Sequence, residues 1–402
     1  MRIKYAFLVV LFAVIAYGAW FVYTNLRGSG AAFGPIPQLP EQPVEPSGTA
    51  PGNTTGLPLT LPPGFSLSVY AKNLGAPRVL AEDSTGTILT SIPSQSKVVA
   101  LPDADSDGVA DTVITVVEGL SLPHGIAFHD TRLYVAETDA VSSYAYDPTN
   151  KKATDKKKLF DLPAGGNHFS RSIGFGPDGK LYVSIGSSCN VCVEKDPRRG
   201  AIFVANADGS DFRSFATGLR NTVFFTWHPQ TNEMWGTDMG RDLLGDNTPF
   251  EEVNIIKNGG FYGWPYCYNN KTHDTTFDAS TKAREKCEAS ISPHITFQAH
   301  SAPLGLAFIP DEWPADYRGD LLVAYHGSWN RSMPTGYKIV RFDLDERQIA
   351  KTETDFIAGW LVGDGALGRP AGLLFGRDAA LYISDDKSGT IYRMFPRSAA
   401  GN

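Results

Sequence analysis

Beyond its first two dozen residues this 402-residue chain has little helix-period spacing of apolar side chains. That argues against a mainly helical body. It has no run of Lys or Arg longer than three residues, and its net charge is −7. A nucleic-acid-binding surface is therefore not expected. Cysteine is scarce, at four residues. Cys189 and Cys192 have c-type haem spacing, but Val193 follows where His would be required, so covalent haem is excluded. A thioredoxin-type reading fails as well, because no βαβ pattern surrounds the pair.

One long apolar run is present. Residues 5 to 23 (YAFLVVLFAVIAYGAWFVY) carry no charge, and Arg2 and Lys4 precede them. Nineteen residues make ~28 Å of helix, close to the thickness of a bilayer core. Trp20 and Tyr23 mark its far end, as aromatic residues do at an interface. The run reads as a membrane anchor, with a cleaved signal peptide as the competing reading. Its apolar core is long for a signal peptide, and no small-x-small cleavage site fits well. In either case the basic end stays in the cytoplasm and the remainder is exported. Four cysteines in an exported chain imply disulfides. Three pairings are possible, and Cys189–Cys192 with Cys267–Cys287 is the local choice. Residues 28 to 60 are rich in Pro, Gly, Ser and Thr and read as an extended tether that frees the body from the membrane. Residues 61 to 402 are left as one domain.

Within that domain one pattern recurs six times: a polar or cationic residue, a short apolar run, a turn and a second apolar strand. The copies begin at Pro77, Pro123, Ser170, Arg220, His300 and Arg369. Glu82, Phe128, Phe175, Trp227, Phe308 and Phe375 occupy equivalent positions, spaced by 46, 47, 52, 81 and 67 residues. A propeller blade takes ~40–50 residues. The expectation is an all-β, six-bladed β-propeller with insertions in the fourth and fifth blades. Its ring is expected to close by pairing FSLSVYA, from Phe65, with the region of Ile391–Met394.

A propeller gathers the starts of its inner strands around one channel. Arg78, His124, His168, Arg171, Arg220, His300 and Arg369 occupy or adjoin those starts. Together they predict a cationic funnel for a compact polyanion, since guanidinium forks suit carboxylates. Internal pairing of individual arginines with Asp238, Asp385 or Asp386 stays open. In LPDADSDGVADTV, Asp103, Asp105, Asp107 and Asp111 fall at positions 1, 3, 5 and 9 of a calcium loop, with Gly108 at position 6. Ile114 replaces the usual Glu and no helix pattern flanks the loop; a structural calcium loop is the reading, with a solvated acidic turn as the alternative.

GLRN (218–221), TDMGRD…GGFYGWPYC (237–267), HSAPLGLAF (300–308), GDLLVAYHGSWNRSMPTGYKIVR (319–341) and GRPAGLLF…LYISDDKSGTIYR (368–393) resemble the PQQ-dependent sugar dehydrogenases. The likeness is to their L-sorbosone dehydrogenase-like and pyranose dehydrogenase-like branch. It covers nearly the whole domain and independently implies a six-bladed propeller. It also implies pyrroloquinoline quinone (PQQ), a tricarboxylate, as cofactor, with calcium anchoring it. By motif, the resemblance implies His168 as general base and Arg220 and Asn221 as quinone contacts. Trp329, Arg331 and Arg369 would contact the ring and its carboxylates, and the carbonyls of Gly240 and Arg241 would bind calcium. Arg78 joins the cofactor contacts by blade equivalence alone. The implied reaction oxidises a sugar or related aldehyde. Electrons would leave to an external acceptor, a cytochrome or a membrane quinone. The sequence departs from the family pattern at Met239 (usually Asn), at Thr222 (usually Pro) and at Phe224-Phe225. Specificity is expected in the blade-top loops, including 269–299. A calcium-dependent propeller lactonase and a non-catalytic binding propeller are the alternatives. The lactonase requires an acidic metal cage in the channel.

Overall fold

The computed structural model describes residues 2–39 and 52–397. Six sheets follow one another along the chain, each containing four antiparallel strands, in sequence order in the first five. Their innermost strands are Leu80–Glu82, Gly125–His129, Ile173–Phe175, Phe225–Trp227, Pro303–Phe308 and Pro370–Phe375. The six residues taken as equivalent in the sequence all sit at or next to the far ends of these strands. The architecture is the expected six-bladed propeller. Its sixth blade is completed by the first strand, Phe65–Ala71, which pairs antiparallel with Thr390–Pro396 in the register Leu67↔Met394 and Val69↔Tyr392. The apolar faces of the blades pack against one another. Buried Trp235, Trp313 and Trp360 are among the largest side chains in these layers.

Hydroxyls on second strands fix the starts of the neighbouring inner strands. Ser91 Oγ donates to the His124 carbonyl at 2.7 Å, Thr237 Oγ1 to Leu304 at 2.8 Å, and Ser384 Oγ to Arg78 at 2.6 Å. Ser184 Oγ donates in the same way to Thr222. The last blade is thus stitched to the first by the same bond that joins blades one to two, three to four and four to five. Blades crowd closely at this radius. A Cβ on Gly125 would lie 2.5 Å from the Arg171 carbonyl, and one on Gly372 would lie 2.4 Å from that of Arg78. Only glycine permits that approach.

The inserts fall where the long spacings place them. In the fourth blade the segment between Glu251–Ile256 and Ile295–Phe297 contains a helix, Thr281–Ala289, capped by Ser280 Oγ on the Ala283 amide at 3.2 Å. Its Gly260–Phe261 pairs in parallel with the third blade. Both disulfides are the local pairs, Cys189–Cys192 and Cys267–Cys287.

At the other end of the chain, Arg2–Asn25 forms one helix, and its stretch Phe7–Asn25 is long and apolar enough to cross a membrane. The tether reading of 28–60 needs correction. Residues 40–51 lie outside the described residues, but those on either side are packed on the propeller. The Gly28 amide donates to the Arg331 carbonyl at 2.8 Å, and Ala31 is fully buried. Leu59 is fully buried too, and the Thr60 amide donates to Ala358 at 2.8 Å. Small residues allow 28–32 to lie flush against the blade loops. Leu59 is held because its apolar surface leaves water.

Candidate active site

Outer-to-inner crossings between blades, and the turns from second to third strands, all run over one face of the propeller. A cavity of ≈ 410 Å³ opens among them. His168, Arg220, Asn221, Arg78, Trp329, Arg369 and Gly240 all line it. Seven expected site residues, spread from 78 to 369 in the sequence, therefore share one space.

His168 sits on the crossing into the third blade. Its Nδ1 lies 2.9 Å from the Ser187 carbonyl. A carbonyl only accepts, so Nδ1 carries the hydrogen and Nε2 has the free lone pair. Burial and the Arg220 guanidinium push the imidazole pKa down to about 3. The ring is therefore neutral at ordinary pH, with the Nε2 lone pair unprotonated. Arg171 holds this loop from beneath, donating to the carbonyls of His168 at 2.9 Å, Ser170 at 2.8 Å and Pro163 at 2.8 Å.

Arg220 is held on three sides. Nε and Nη2 donate to the carbonyl and side-chain oxygen of Asn190, both at 2.9 Å. Nη2 also meets Asp242 at 2.7 Å, and Nη1 donates to the Gly240 carbonyl at 2.7 Å. Asp238, at the end of its strand, accepts the amides of Arg220 at 2.9 Å and Asn221 at 2.8 Å, and the Thr222 hydroxyl at 3.0 Å. Thr222 thus contributes a hydroxyl to the carboxylate that shapes this turn, which proline at that position would lack. Met239 packs with the buried cluster of Val223, Leu304 and Ala371. Its sulfur is 3.7 Å from Asn221 Nδ2.

On the opposite wall, Asp386 accepts from Arg78 Nη1 at 2.6 Å and lies 2.8 Å from His326 Nε2. Asp386 is partly buried, yet His326 and Arg78 hold its carboxyl well below the usual range. Arg369 donates to the carbonyls of His326 at 3.0 Å and Gly327 at 2.8 Å. Arg78 Nε is buried and has no partner. Glu251 also lines the cavity, and burial pushes its carboxyl up to about 8.

Several expectations are corrected. The funnel is not a ring of uncompensated cations. Arg220 pairs with Asp242, Arg78 with Asp386, and Arg369 with loop carbonyls, because a buried guanidinium without acceptors is costly. His124 and Arg171 are fully buried and do not line the cavity. Arg331 turns away as well, donating to the carbonyls of Ala299 at 3.0 Å and Met333 at 3.2 Å. The Arg241 side chain, for which no role was expected, pairs with Asp274 in the fourth-blade insert, which leaves the expectation for its carbonyl as it was. No residue of 269–299 lines this cavity. In the first-blade loop, carboxylate oxygens of Asp103, Asp105 and Asp111 lie within 4.8 Å of one another. Asp107 is not among them. Its Oδ1 instead accepts the Val109 amide at 2.8 Å.

Sequence reasoning missed Asn190, Asp242, His326 and Asn330. Asp242, His326 and Asn330 all stand inside or beside the quoted motifs, so a closer reading of TDMGRD and AYHGSWN finds them. Asn190 has only its place between Cys189 and Cys192 to mark it. Phe33 was also missed. It comes from the segment after the first helix and lines the cavity beside Trp329, with ring centroids 6.3 Å apart.

Comparison with known proteins bears on the family and the fold. The family profile described as TrAA12-like matches residues 59–395. An uncharacterised protein of Borreliella burgdorferi is 31% identical over 355 residues, covering 84% of this chain and 90% of that one. The pyrroloquinoline quinone-dependent pyranose dehydrogenase of Coprinopsis cinerea is 24% identical over 396 residues, covering 82% of this chain and 53% of that longer protein. Among solved structures, the holo form of the PQQ domain of the Coprinopsis cinerea pyranose dehydrogenase superposes with a TM-score of 0.72 at 23% identity. It covers 86% of this chain and 99% of that one.

Proposed function

The chain belongs to the TrAA12-like family of PQQ-dependent sugar dehydrogenases, and from that premise we infer that its cavity binds PQQ and oxidises a sugar or a related aldehyde. The observation that carries this reading is the convergence of His168, Arg220, Asn221, Trp329 and Arg369 on one cavity. The donor set fits an acceptor-rich, planar anion. Arg78 Nε is a buried donor awaiting an acceptor, Arg369 and Arg220 border the same space, and Trp329 offers an aromatic wall. The cavity's ≈ 410 Å³ lies in the range of small-molecule sites.

When bound, PQQ supplies a two-electron oxidising centre. The chain's own residues do the rest. His168 Nε2 takes the hydroxyl proton of the substrate as the C–H bond gives up its electron pair. Ser187 keeps the ring in the tautomer that leaves Nε2 free. Arg220, fixed by Asn190 and Asp242, presents positive charge where negative charge develops.

At the Gly240 carbonyl, Arg220 Nη1 already takes one of the oxygen's two lone pairs, so a cation held there would share that oxygen with a guanidinium. Calcium belongs in this reading at Asp103, Asp105 and Asp111, where a hard cation relieves the repulsion of three carboxylates. That loop joins the third and fourth strands of the first blade, on the face opposite the cavity, so the role proposed for the ion is structural. The alternative lactonase reading needs an acidic cage. Here Asp242 is paired with Arg220, and Glu251 keeps its proton at neutral pH.

The leading helix is proposed as a membrane anchor, with the propeller on the exported side and electrons leaving to an external cytochrome or quinone. PQQ titration of the full chain by tryptophan fluorescence, followed by dye reduction over an aldose and aldehyde panel, tests the assignment. Saturable binding with turnover is expected. Absence of binding at micromolar PQQ would overturn it.

A further inference from the structure

We propose that the cavity-bearing face of the propeller rests on the bilayer surface, so that the mouth of the site opens at the membrane interface. The proposal rests on the anchor reading above and adds an orientation that the anchor alone does not require.

Three observations lead to it. The first is distance along the chain. The helix ends at Asn25, and Arg27 Nε already donates to the Ser332 carbonyl at 3.2 Å. Two residues span at most about 7 Å. The propeller is therefore held at the helix end, with no slack to swing away.

The second is where the following segment docks. Gly28 packs against Arg331 and Pro334, and an added Cβ would lie 2.8 Å from the Pro334 nitrogen. The Lys387 ammonium donates to the Gly34 carbonyl at 2.7 Å. Pro37 abuts Gly365. These partners lie in the second-to-third-strand turns of blades five and six and in the crossing between those blades, all on the cavity face. Phe33 completes the docking by lining the cavity itself.

The third is the distribution of exposed apolar side chains. Among the described residues, the propeller loops expose ten large apolar side chains. Seven of these stand on the cavity face, including Phe169, Val193, Leu243, Phe250 and Met333. The other three, Val109, Val113 and Ile349, stand in turns from third to fourth strands on the opposite face. Phe33 and Ile36, on the docked segment, are 73% and 46% exposed and add to the cavity side. Apolar side chains gathered on one face beside an anchor helix match a surface that dips into the headgroup region.

The test uses the full chain in phosphatidylcholine–phosphatidylglycerol vesicles. All four cysteines are in disulfides, so one introduced cysteine is the only thiol to label. A polarity-sensitive fluorophore is placed by Leu243→Cys or Met333→Cys on the cavity face, Ile349→Cys on the opposite face, and Phe12→Cys in the helix. Quenching by spin-labelled lipid is then measured. The expected result is quenching of at least about twofold at 243, 333 and 12, with none at 349, as for groups seated about 5–10 Å into the interface. Quenching at 12 without quenching at 243 or 333 overturns the orientation and leaves the anchor standing. No quenching at 12 overturns the anchor reading and the orientation with it.

Discussion

Arg220 donates two hydrogen bonds to Asn190, one to its carbonyl and one to its side chain, each 2.9 Å long. Asn190 stands inside the loop closed by Cys189–Cys192. The loop clasp read from the sequence therefore has a job in the site: it holds the acceptor that aims the guanidinium. Asn190→Ala removes one of the two acceptors and frees the loop. A buried charged hydrogen bond contributes about 1.5–3 kcal/mol, so PQQ affinity is expected to fall at least about tenfold. A fluorescence titration checks it, and unchanged affinity would remove Asn190 from the binding machinery.

His168→Gln addresses the proton. The amide fills similar space but is not a base. Turnover is expected to drop about 10²–10⁴-fold, while PQQ affinity stays within a few fold of the parent. Equal losses in both would mean that His168 binds rather than reacts.

The same substitution has a signature in stability. His168 has a folded pKa of about 3 against 6.5 for the free side chain. Between those values the unfolded chain binds a proton that the folded chain does not. Stability therefore falls as pH drops from about 6.5 towards 3. His326, lowered to about 4, contributes in the same direction. Urea midpoints at pH 7.5 and pH 5 should differ less for His168→Gln than for the parent. Identical differences would mean that the imidazole titrates normally in the fold.

The first-blade loop gives a metal test independent of the cavity. EDTA is expected to lower the Tm of the parent, and Asp103→Asn with Asp105→Asn to abolish that sensitivity. Dye reduction at 25 °C should survive in the variant, because the loop lies on the face away from the site. Loss of activity with intact Tm would transfer the calcium to the cavity.

How far the sequence leads depends on what carries the information. Blade count and ring closure were legible because the repeat is local and each copy writes its own strand pair. The pairing of Phe65–Ala71 with Thr390–Pro396 follows from closing the ring. The cavity roster was legible where residues stand at the starts of inner strands, as Arg78, Arg220 and Arg369 do. What stayed hidden is side-chain direction. Arg331 belongs to the right motif, yet it lies one residue beyond Asn330, which lines the cavity, and its guanidinium points away. The docking of residues 27–37 was also illegible. Glycine, alanine and proline read as a flexible tether, and the same small side chains are what permit close packing. No local pattern separates the two outcomes.

Arg331 and Arg369 give the sharpest contrast between motif and geometry. The resemblance assigns both to the cofactor. In the fold, Arg369 lines the cavity, while Arg331 is spent on the carbonyls of Ala299, Met333 and Asp246. Arg369→Ala is therefore expected to weaken PQQ binding at least about tenfold, the loss of one charge-assisted contact. Arg331→Ala should leave affinity within a few fold and instead destabilise the fold by about 1–3 kcal/mol, since buried carbonyls lose their donor. Paired PQQ titrations and urea denaturation separate the two effects. If Arg331→Ala abolishes binding without loss of stability, the guanidinium turns into the cavity when the cofactor enters, and the motif rather than the geometry described above gives its role.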